Sequence, residues 1–359
     1  MKFLFIVIMF ISFLIYPIGV HANGTSFLED SSSPSGHVLP MEEGIVRINK
    51  EKIMIDIAND SSRGFFDMDN PPLVANIQVI YEIVNETKEM MDVPIAFPQP
   101  GDSYQWNITL DGENVPLSGK VKMDTSDLTG GNLHKEWVHP RTNENYVFSG
   151  YDALSKVSLE SKTFNIQLKA KESHELQINY EAGLGIDETR SLHPVYRLDY
   201  LLYPASYWSD FKDLSIQVKV LPKSFVHTNL SLKQNDKDTY VAEFTELPKE
   251  NLVLFISPSS GVVIDLFHSR GTALFFLVLW TIMFLITHWK VLPKMKNKIL
   301  RQGISLALLF LSLFIGYDIL SHKLLGYPFT TFQFIVFIGY VILLCFVWVL
   351  SSRKRGGGD

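Results

Sequence analysis

Three apolar segments in the last quarter of the chain constrain its fold more than any other feature. They span residues 271–289, 303–321 and 329–350. Each is long enough to cross a hydrocarbon core of ~30 Å as an α-helix. The sequence therefore predicts three transmembrane helices at the C-terminal end.

The charges around these segments predict their orientation. The loop 290–302 carries five basic residues and no acidic one, the loop 322–328 contains a single lysine, and the tail 351–359 contains Arg353-Lys354-Arg355. Basic residues concentrate on the cytoplasmic side of short loops. The loop 290–302 and the tail are therefore predicted to be cytoplasmic, whereas 322–328 and everything before 271 are predicted to lie outside.

The start of the chain agrees with this orientation. Residues 1–22 combine one lysine, a long apolar run and a terminal His21-Ala22 pair. This layout is typical of a secretory signal peptide cleaved after Ala22. The alternative is an uncleaved N-terminal anchor, because the apolar run is nearly long enough to span a membrane. Either interpretation exports the residues that follow.

Charge and cysteine content limit what the exported part can be. Residues 23–270 carry 22 basic and 36 acidic side chains, a net charge of −14. Nucleic acid is an unsuitable partner for such a surface. The only cysteine is Cys345, inside the third apolar segment, so the exported domain is not stabilised by disulfides. This usage favours the envelope of a bacterium whose exported proteins lack disulfides.

Alternation of apolar and polar residues dominates the exported part. Examples are Ile77 to Ile83, Phe164 to Ala170 and Leu214 to Val220. Period-2 alternation predicts strands with one buried face, and such strands need a second layer to cover that face. We expect an antiparallel β-sandwich of one or two units, before the three helices. In detail, the sequence predicts a disordered leader at 23–40, β units at 41–121 and 160–258, and an irregular connection at 122–159.

One resemblance supports the β fold. Tyr81-Glu-Ile-Val-Asn85 is followed by Ile95-Ala-Phe-Pro98 and then by the turn pair Asp111-Gly112. This order resembles poorly characterised exported bacterial β-sandwich proteins, over part of the exported domain only. The resemblance implies a β-sandwich and implies no activity.

Catalytic signatures are missing from the sequence. It contains no Gly-x-Ser-x-Gly elbow and no phosphate-binding loop, so no catalytic residue and no cofactor is predicted. The nearest approach to a metal motif is His134-Lys-Glu136-Trp-Val-His139, which offers two imidazoles and one carboxylate. The spacing differs from the helical His-Glu-x-x-His motif. We therefore interpret it as a pair of loop histidines, with a zinc site as the alternative.

Three other residues are candidates for contact with a ligand or partner. Tyr207 and Trp208 follow Pro204 and are predicted to lie in a turn, where exposed aromatic rings could form a binding patch. The alternative is that they pack in the core. Asp318 is the one acidic residue within the apolar segments, and such groups are candidates for function. Its position near His322 and Lys323 favours a local pairing instead.

These features predict a non-enzymatic, membrane-anchored binding or interaction protein of the bacterial cell envelope. The expected partners are the lipid bilayer, a membrane protein and a cell-wall component. Three helices exceed what anchoring requires, which favours a membrane partner. Two alternatives remain open: an extracytoplasmic hydrolase or metalloenzyme that uses residues 122–159, and an accessory subunit of a transporter or envelope assembly complex.

Overall fold

The computed structural model divides into two compact units. Of the described residues, 35–187 and 195–258 form one unit, called the β unit below, and 192–194 with 259–353 belong to the other, called the helical unit. The predicted signal peptide and most of the leader lie outside the described residues. The structure describes residues 35–41, 46–59, 73–98, 103–131, 134, 136–147, 159–187, 192–320 and 330–353.

The largest element of the β unit is an eight-stranded sheet, called the large sheet. Its pairings are antiparallel except that β15 runs parallel to β3. In β3, β4, β12 and β15 nearly every second residue is buried, which is the period-2 alternation of the sequence. The order of strands is β17 (Lys233–Asp236), β18 (Thr239–Phe244), β15 (Leu214–Lys219), β3 (Val46–Asn59), β4 (Leu73–Asn85), β12 (Ser173–Gly183), β6 (Ser103–Leu110) and β7 (Glu113–Asn114).

Two smaller sheets complete the main layers of the β unit. The four-stranded sheet has the order β2 (Leu39–Pro40), β5 (Met91–Pro98), β11 (Leu159–Leu168) and β8 (Leu117–Met123). In the five-stranded sheet, β13 (Gly185–Asp187) pairs with β14, and β1 runs parallel to β14. The path of that sheet is β1 (Ser35–Gly36), β14 (Val195–Leu201), β19 (Leu252–Ser257) and β16 (Phe225–Thr228).

One hydrophobic core joins the large sheet to both small sheets. It contains Ile53, Val79 and Ile178 from the large sheet together with Phe97 and Leu254 from the small sheets. Burying one such side chain stabilises the fold by roughly 1.5–3 kcal/mol relative to its exposure. The predicted ranges 41–121 and 160–258 therefore share one core, and β12 lies between β4 and β6 in the large sheet. The two parallel pairings make the large sheet and the five-stranded sheet mixed, where the sequence predicted antiparallel ones.

The predicted leader contributes to this core from residue 35 onwards. β1 pairs with β14 of the five-stranded sheet, and β2 pairs with β5 of the four-stranded sheet. Ser35, His37 and Val38 are fully buried. A Cβ atom at Gly36 would lie 2.9 Å from Pro98 Cγ, so the close approach of the chains requires glycine there. Residues 35–40 are therefore an ordered structural segment, in contrast to the expected disorder.

The connection predicted to be irregular also contains ordered elements. After β8 come the short helix α1 (Thr125–Thr129) and a hairpin of β9 (Trp137–His139) and β10 (Glu144–Tyr146). Trp137 packs with Val195 and Phe255, on the opposite face of the five-stranded sheet from the main core. The hairpin therefore forms a small third layer, and this explains why every residue of β14 and β19 is buried.

Among its described residues, the helical unit contains three α-helices with a common apolar cluster. α2 (Arg270–Ile286) continues through a π-helical turn (Thr287–Val291) and a 3-10 turn (Leu292–Lys294), and α3 and α4 follow. Two helical spans, Gly271–Lys294 and Lys298–Leu320, are long and apolar enough to cross a membrane, and Ile335–Leu350 is a shorter apolar stretch. The last two helices are α3 (Lys298–Leu320) and α4 (Thr330–Arg353).

Candidate functional site

The outward face of the large sheet carries an open groove, called the amide groove. It crosses β15, β3, β4, β12 and β6, the central strands of the sheet. The inward-facing residues of these strands are apolar and fill the core, so the alternate positions place polar side chains on the outside. The lining residues that are not buried are Met54, Asp56, Asn76, Gln78, Gln105, Asn179, Glu181, Gln217 and Lys219.

Strand register arranges these side chains in two rows across the sheet. Neighbouring strands are ~4.8 Å apart, so residues in register form a ladder with that spacing. The first row continues beyond the groove to Asn107, and the second continues to Tyr104. The rows are Gln217, Met54, Gln78, Asn179 and Asn107, then Lys219, Asp56, Asn76, Glu181 and Tyr104.

A β-bulge shapes one side of the groove. Between the pairs Asn179–Asn107 and Glu181–Tyr104, strand β6 contains one more residue than β12. Gln105 occupies the left-handed region with a φ of 53°, which costs a non-glycine residue of order 1–3 kcal/mol. As a result the consecutive side chains of Tyr104 and Gln105 are both exposed. Such bulges re-aim side chains and are common beside functional sites.

Aromatic packing beneath the sheet holds this bulge in place. The Trp106 ring stacks on Tyr180, with 4.5 Å between ring centroids and an interplanar angle of 8°. The Phe97 ring meets Trp106 edge-on at 5.4 Å. Trp106 Nε1 donates to Ser103 Oγ at 3.1 Å. Because Trp106 is fixed on the inner side, the residues immediately before it are directed outwards.

The amide groove carries little net charge. Lys219 Nζ lies 3.1 Å from Asp56 Oδ2, and each side chain is at least half exposed. Exposed pairs of this kind contribute only about 0–1 kcal/mol to stability. Apart from this pair, Glu181 is the one charged side chain among the groove residues that the structure describes. The groove is therefore dominated by neutral side chains that both donate and accept hydrogen bonds.

The core beneath the large sheet contains a cluster of buried polar groups. His37 Nε2 lies 2.8 Å from Glu51 Oε2, at ion-pair distance but without hydrogen-bond geometry. Burial raises the pKa of Tyr81 and of Tyr200 well above the usual range, and the Glu51 carboxylate adds to both shifts. The cluster is fully buried, like the core around it, and therefore offers no access for a substrate.

The histidine motif of the third layer has contacts within the chain. His139 Nδ1 accepts from the backbone N–H of Arg141 at 3.2 Å, and Glu136 Oε2 accepts from Asn145 Nδ2 at 2.8 Å. Burial, with Arg141 adding to the effect, lowers the pKa of His139. The carbonyl groups of His134 and Glu136 accept hydrogen bonds from Arg197. Within the described ranges, no three His, Cys, Asp or Glu side chains are grouped to hold a metal.

Tyr207 and Trp208 point in different directions. Trp208 is 5% exposed and belongs to the main core, where its Nε1 donates to the carbonyl of Val38 at 2.9 Å. Tyr207 is 42% exposed, and its hydroxyl donates to the carbonyl of Asp127 at 3.1 Å. The 3-10 turn Tyr203–Tyr207 changes the direction of successive side chains. The structure therefore places these two residues apart, with Trp208 in the alternative, core position.

Asp318 has a defined structural partner in the helical unit. Its Oδ2 accepts hydrogen bonds from the backbone N–H groups of Val263 and Ile264, both at 2.8 Å. These groups begin the 3-10 turn Ile264–Leu266, so the carboxylate caps that turn. The carboxylate thus pairs with the chain before α2, 54 and 55 positions earlier in the sequence. His322 and Lys323, the partners suggested by the sequence, lie outside the described residues.

A second polar cluster in the helical unit was missed by sequence reasoning. The buried His193 contacts Ser260 Oγ through Nδ1 at 3.1 Å, and its Nε2 lies 3.0 Å from the carbonyl of Phe267. Asp265 Oδ1 accepts from Ser260 N–H at 3.0 Å. In a catalytic triad the histidine places serine and aspartate on opposite ring nitrogens. Here both lie on the Nδ1 side and Nε2 faces a carbonyl, so the cluster is structural.

Comparison with known proteins adds fold neighbours of low similarity. No family model matches the sequence, and no curated protein sequence matches it. A candidate nutrient binding protein from Legionella pneumophila is 10% identical, with a TM-score of 0.47 over 87% of this chain and 98% of that one. An M1 zinc metallopeptidase from Deinococcus radiodurans is 9% identical, with a TM-score of 0.29 over 64% of this chain and 45% of that one. Yeast LTA4 hydrolase in complex with bestatin is 7% identical, with a TM-score of 0.32 over 76% and 39%. These similarities carry no argument about function.

Proposed function

We propose that this chain is a non-enzymatic, membrane-anchored binding protein of the bacterial cell envelope. The observation that carries the proposal is the amide groove, an open site with aligned polar side chains on a rigid sheet. Rigid sheet positions hold binding groups more accurately than loops do. In concave ligand sites a small number of placed polar groups fix the orientation of the ligand.

The proposal places the β unit outside the cell. It rests on the signal-like residues 1–22, the basic loop 290–302 and the basic tail after the last helix. In the structure the third apolar stretch is the short Ile335–Leu350. We nevertheless include the third helix as a membrane span, because the apolar segment 329–350 is continuous in the sequence. This topology has three spans and a cytoplasmic C-terminus.

Cysteine labelling tests the topology. Cys345→Ala removes the native cysteine, and one new cysteine is then introduced at a time. Lys237 and Lys296 are suitable sites, because both are exposed and the proposal places them on opposite sides of the membrane. We expect a membrane-impermeant maleimide to label Lys237→Cys in intact cells and Lys296→Cys only after permeabilisation. Labelling of Lys296→Cys in intact cells would contradict the orientation, and with it the proposed location of the groove.

The proposal also includes a membrane-protein partner. Its support is the number of helices, since one helix suffices for anchoring a soluble domain. Extraction of the tagged full chain in mild detergent, followed by mass spectrometry, tests this part. We expect one membrane protein to co-purify in fixed proportion. If the chain purified alone from its native membrane and still bound envelope fractions, the membrane-protein partner would be contradicted and the binding function would remain.

A further inference from the structure

We propose that the amide groove binds an uncharged glycan chain that lies across the strands of the large sheet. This inference rests on the proposed binding function and names the chemical class of the ligand. The juxtaposition that carries it is the pair of amide-rich rows together with the bulge that exposes Tyr104 and Gln105.

Hydrogen-bonding capacity favours a ligand rich in hydroxyl and acetamido groups. Asn76, Gln78, Gln217 and Gln105 each carry one carbonyl acceptor and two N–H donors. The carbonyl of Asn179 already accepts from Gln177 Nε2 at 3.2 Å, so Asn179 contributes its N–H donors. A sugar hydroxyl is also both donor and acceptor, so every hydroxyl can pair with an amide in either sense. Their placement on paired strands fixes the amides at regular intervals.

The charges of the groove disfavour ionic polymers. The ammonium of Lys219 is already paired with Asp56, and Glu181 leaves the groove with one excess negative charge. The exported part as a whole carries a net charge of −14. A polyanion such as a phosphate polymer would be repelled over the whole approach. Among the groove residues that the structure describes, Glu181 is the one carboxylate outside the Lys219–Asp56 pair, so the groove offers little charge to a polycation.

The position of the groove disfavours an extended peptide. Peptides that add to a sheet use the backbone groups of an edge strand. The groove lies mainly over β15, β3, β4 and β12, which are each paired on both sides, and only its margin at Gln105 lies on β6, whose pairing with β7 is limited to Thr109 and Leu110. Peptide side chains would also need apolar pockets. Among the described residues that line the groove and are not buried, Met54 is the one apolar side chain.

The bulge provides an aromatic surface at one end of the rows. Tyr104 is 54% exposed and lies in register with Glu181. A tyrosine ring offers a rigid, amphipathic contact area at low entropic cost, which suits the mixed polar and apolar faces of a sugar ring. The left-handed conformation of Gln105 is the strained feature that exposes both side chains, and strain of this kind is retained where it serves a site.

The dimensions of the rows favour a chain over a single sugar. The two rows cross five strands, and four intervals of ~4.8 Å give a length of roughly 19 Å. The groove is open along its length, so a polymer can enter from the side. A monosaccharide would contact only a small part of either row.

Binding of chitohexaose, the hexasaccharide of N-acetylglucosamine, tests the inference. We use the full chain in lipid nanodiscs and isothermal titration calorimetry. We expect saturable binding that is insensitive to salt, because no ionic contact is involved. The Asn76→Ala/Gln78→Ala variant should bind at least about tenfold more weakly, since each lost hydrogen bond corresponds to several-fold in affinity. The matched control Gln167→Ala removes an exposed amide from the four-stranded sheet and should bind like the wild type.

A second variant separates binding from folding. Gln105→Gly removes the amide and relieves the left-handed strain, because glycine adopts positive φ without cost. We expect its melting temperature to rise while its affinity for chitohexaose falls several-fold. A loss of affinity caused by damage to the fold would instead be accompanied by a lower melting temperature.

Three outcomes would overturn the inference. The first is salt-sensitive binding of poly(glycerol phosphate) in place of chitohexaose, and the second is binding of a polar peptide that the groove variants weaken. The third is unchanged binding of whole envelope fractions by Asn76→Ala/Gln78→Ala, which would leave the proposed binding function intact but move it to another surface. Failure of the wild-type chain to bind any envelope fraction or membrane partner would contradict the proposed function itself.

Discussion

The outer face of the large sheet and the polar clusters of the helical unit place their side chains in opposite surroundings. On the outer face of the large sheet, Asn76 and Gln105 are exposed to solvent. In the helical unit, His193 and Asp318 are almost fully buried and are hydrogen-bonded to backbone groups and a hydroxyl. A buried polar group costs free energy unless it is paired. The comparison teaches that burial commits a polar group to the fold, whereas exposure leaves it available to a ligand.

The strongest test of this contrast is a buried charge pair inside the β unit. Arg197 Nε and Nη2 donate to the two carboxylate oxygens of Asp199 at 2.7 and 2.8 Å, and both residues are buried. We expect Arg197→Ala to lower the free energy of unfolding by about 3–5 kcal/mol, because the buried Asp199 carboxylate would lose its bidentate ion-pair partner. Urea unfolding followed by tryptophan fluorescence measures the change.

The double variant Arg197→Met/Asp199→Leu is the control for this prediction. Replacing both partners with apolar residues removes the charges together, so it should cost clearly less than Arg197→Ala. If Arg197→Ala were as stable as the wild type, the buried pair would not stabilise the fold. The contrast between buried and exposed polar groups would then be contradicted.

The Asp318 cap is the corresponding test in the helical unit. Asp318→Ala removes the acceptor for two backbone N–H groups, and we expect a loss of about 2 kcal/mol. Hydrogen exchange in detergent should report it locally, with faster exchange at Val263 and Ile264. Asp318→Asn keeps an oxygen acceptor, so its stability should lie between those of the wild type and Asp318→Ala. Unchanged protection of both amides in Asp318→Ala would rule out the capping role.

The Asp318 test concerns a residue whose partners could not be found from the sequence. Asp318 contacts residues 54 and 55 positions earlier in the chain, and a separation of that length leaves no local pattern. The burial of residues 35–40 was missed for the same reason. Their composition is typical of a disordered leader, but pairing with β14 and β5 supplies the partners that local sequence cannot reveal.

Local features were predicted with more success. The alternation at Ile77 to Ile83 corresponds to the buried face of β4. The Asp111-Gly112 pair forms the turn between β6 and β7, with φ values of 50° and 83°, as a two-residue hairpin turn requires. What alternation cannot give is the order of strands, so the parallel contact of β3 with β15 and the alignment of the amide rows came only from the structure.

Small residues in α3 illustrate the same division. Small side chains at a helix surface allow neighbouring helices to approach closely, within one chain or with a partner. Ser305 contacts His288, Ser312 accepts from Trp280 Nε1, and Gly316 faces the Tyr340 ring. These three residues are therefore used inside the helical unit. The surface for a membrane partner must be found by another criterion.

A smaller, pH-dependent effect is expected at the Asp111 turn, where a polar group is half exposed. Burial alone would raise the pKa of Asp111, but hydrogen bonds from the His174 ring and the Glu175 N–H outweigh it and lower the pKa. A carboxyl whose pKa is lowered by folding stabilises the fold above its unfolded pKa of about 3.9, and this contribution is lost as the pH falls through the lower, folded value.

Asp111→Asn measures this contribution. We expect the variant to be less stable than the wild type at pH 6, and the difference to shrink as the pH is lowered from 5 towards 3. Chemical unfolding at several pH values provides the measurement. A difference that grows on acidification would mean that folding raises the pKa of this carboxyl, against the hydrogen bonds seen here.

The smallest expected effect on stability is at the amide groove, and it completes the contrast between buried and exposed polar groups. Asn76 is exposed and Gln78 is half-buried on the outer face of the large sheet. Surface substitutions of this kind usually change the free energy of unfolding by no more than about 0.5 kcal/mol. We therefore expect Asn76→Ala/Gln78→Ala to unfold at nearly the wild-type urea concentration while its glycan affinity falls. A loss of unfolding free energy above about 2 kcal/mol would mean that these amides stabilise the fold, as Asp318 does. The assignment of the groove as a binding surface would then be contradicted.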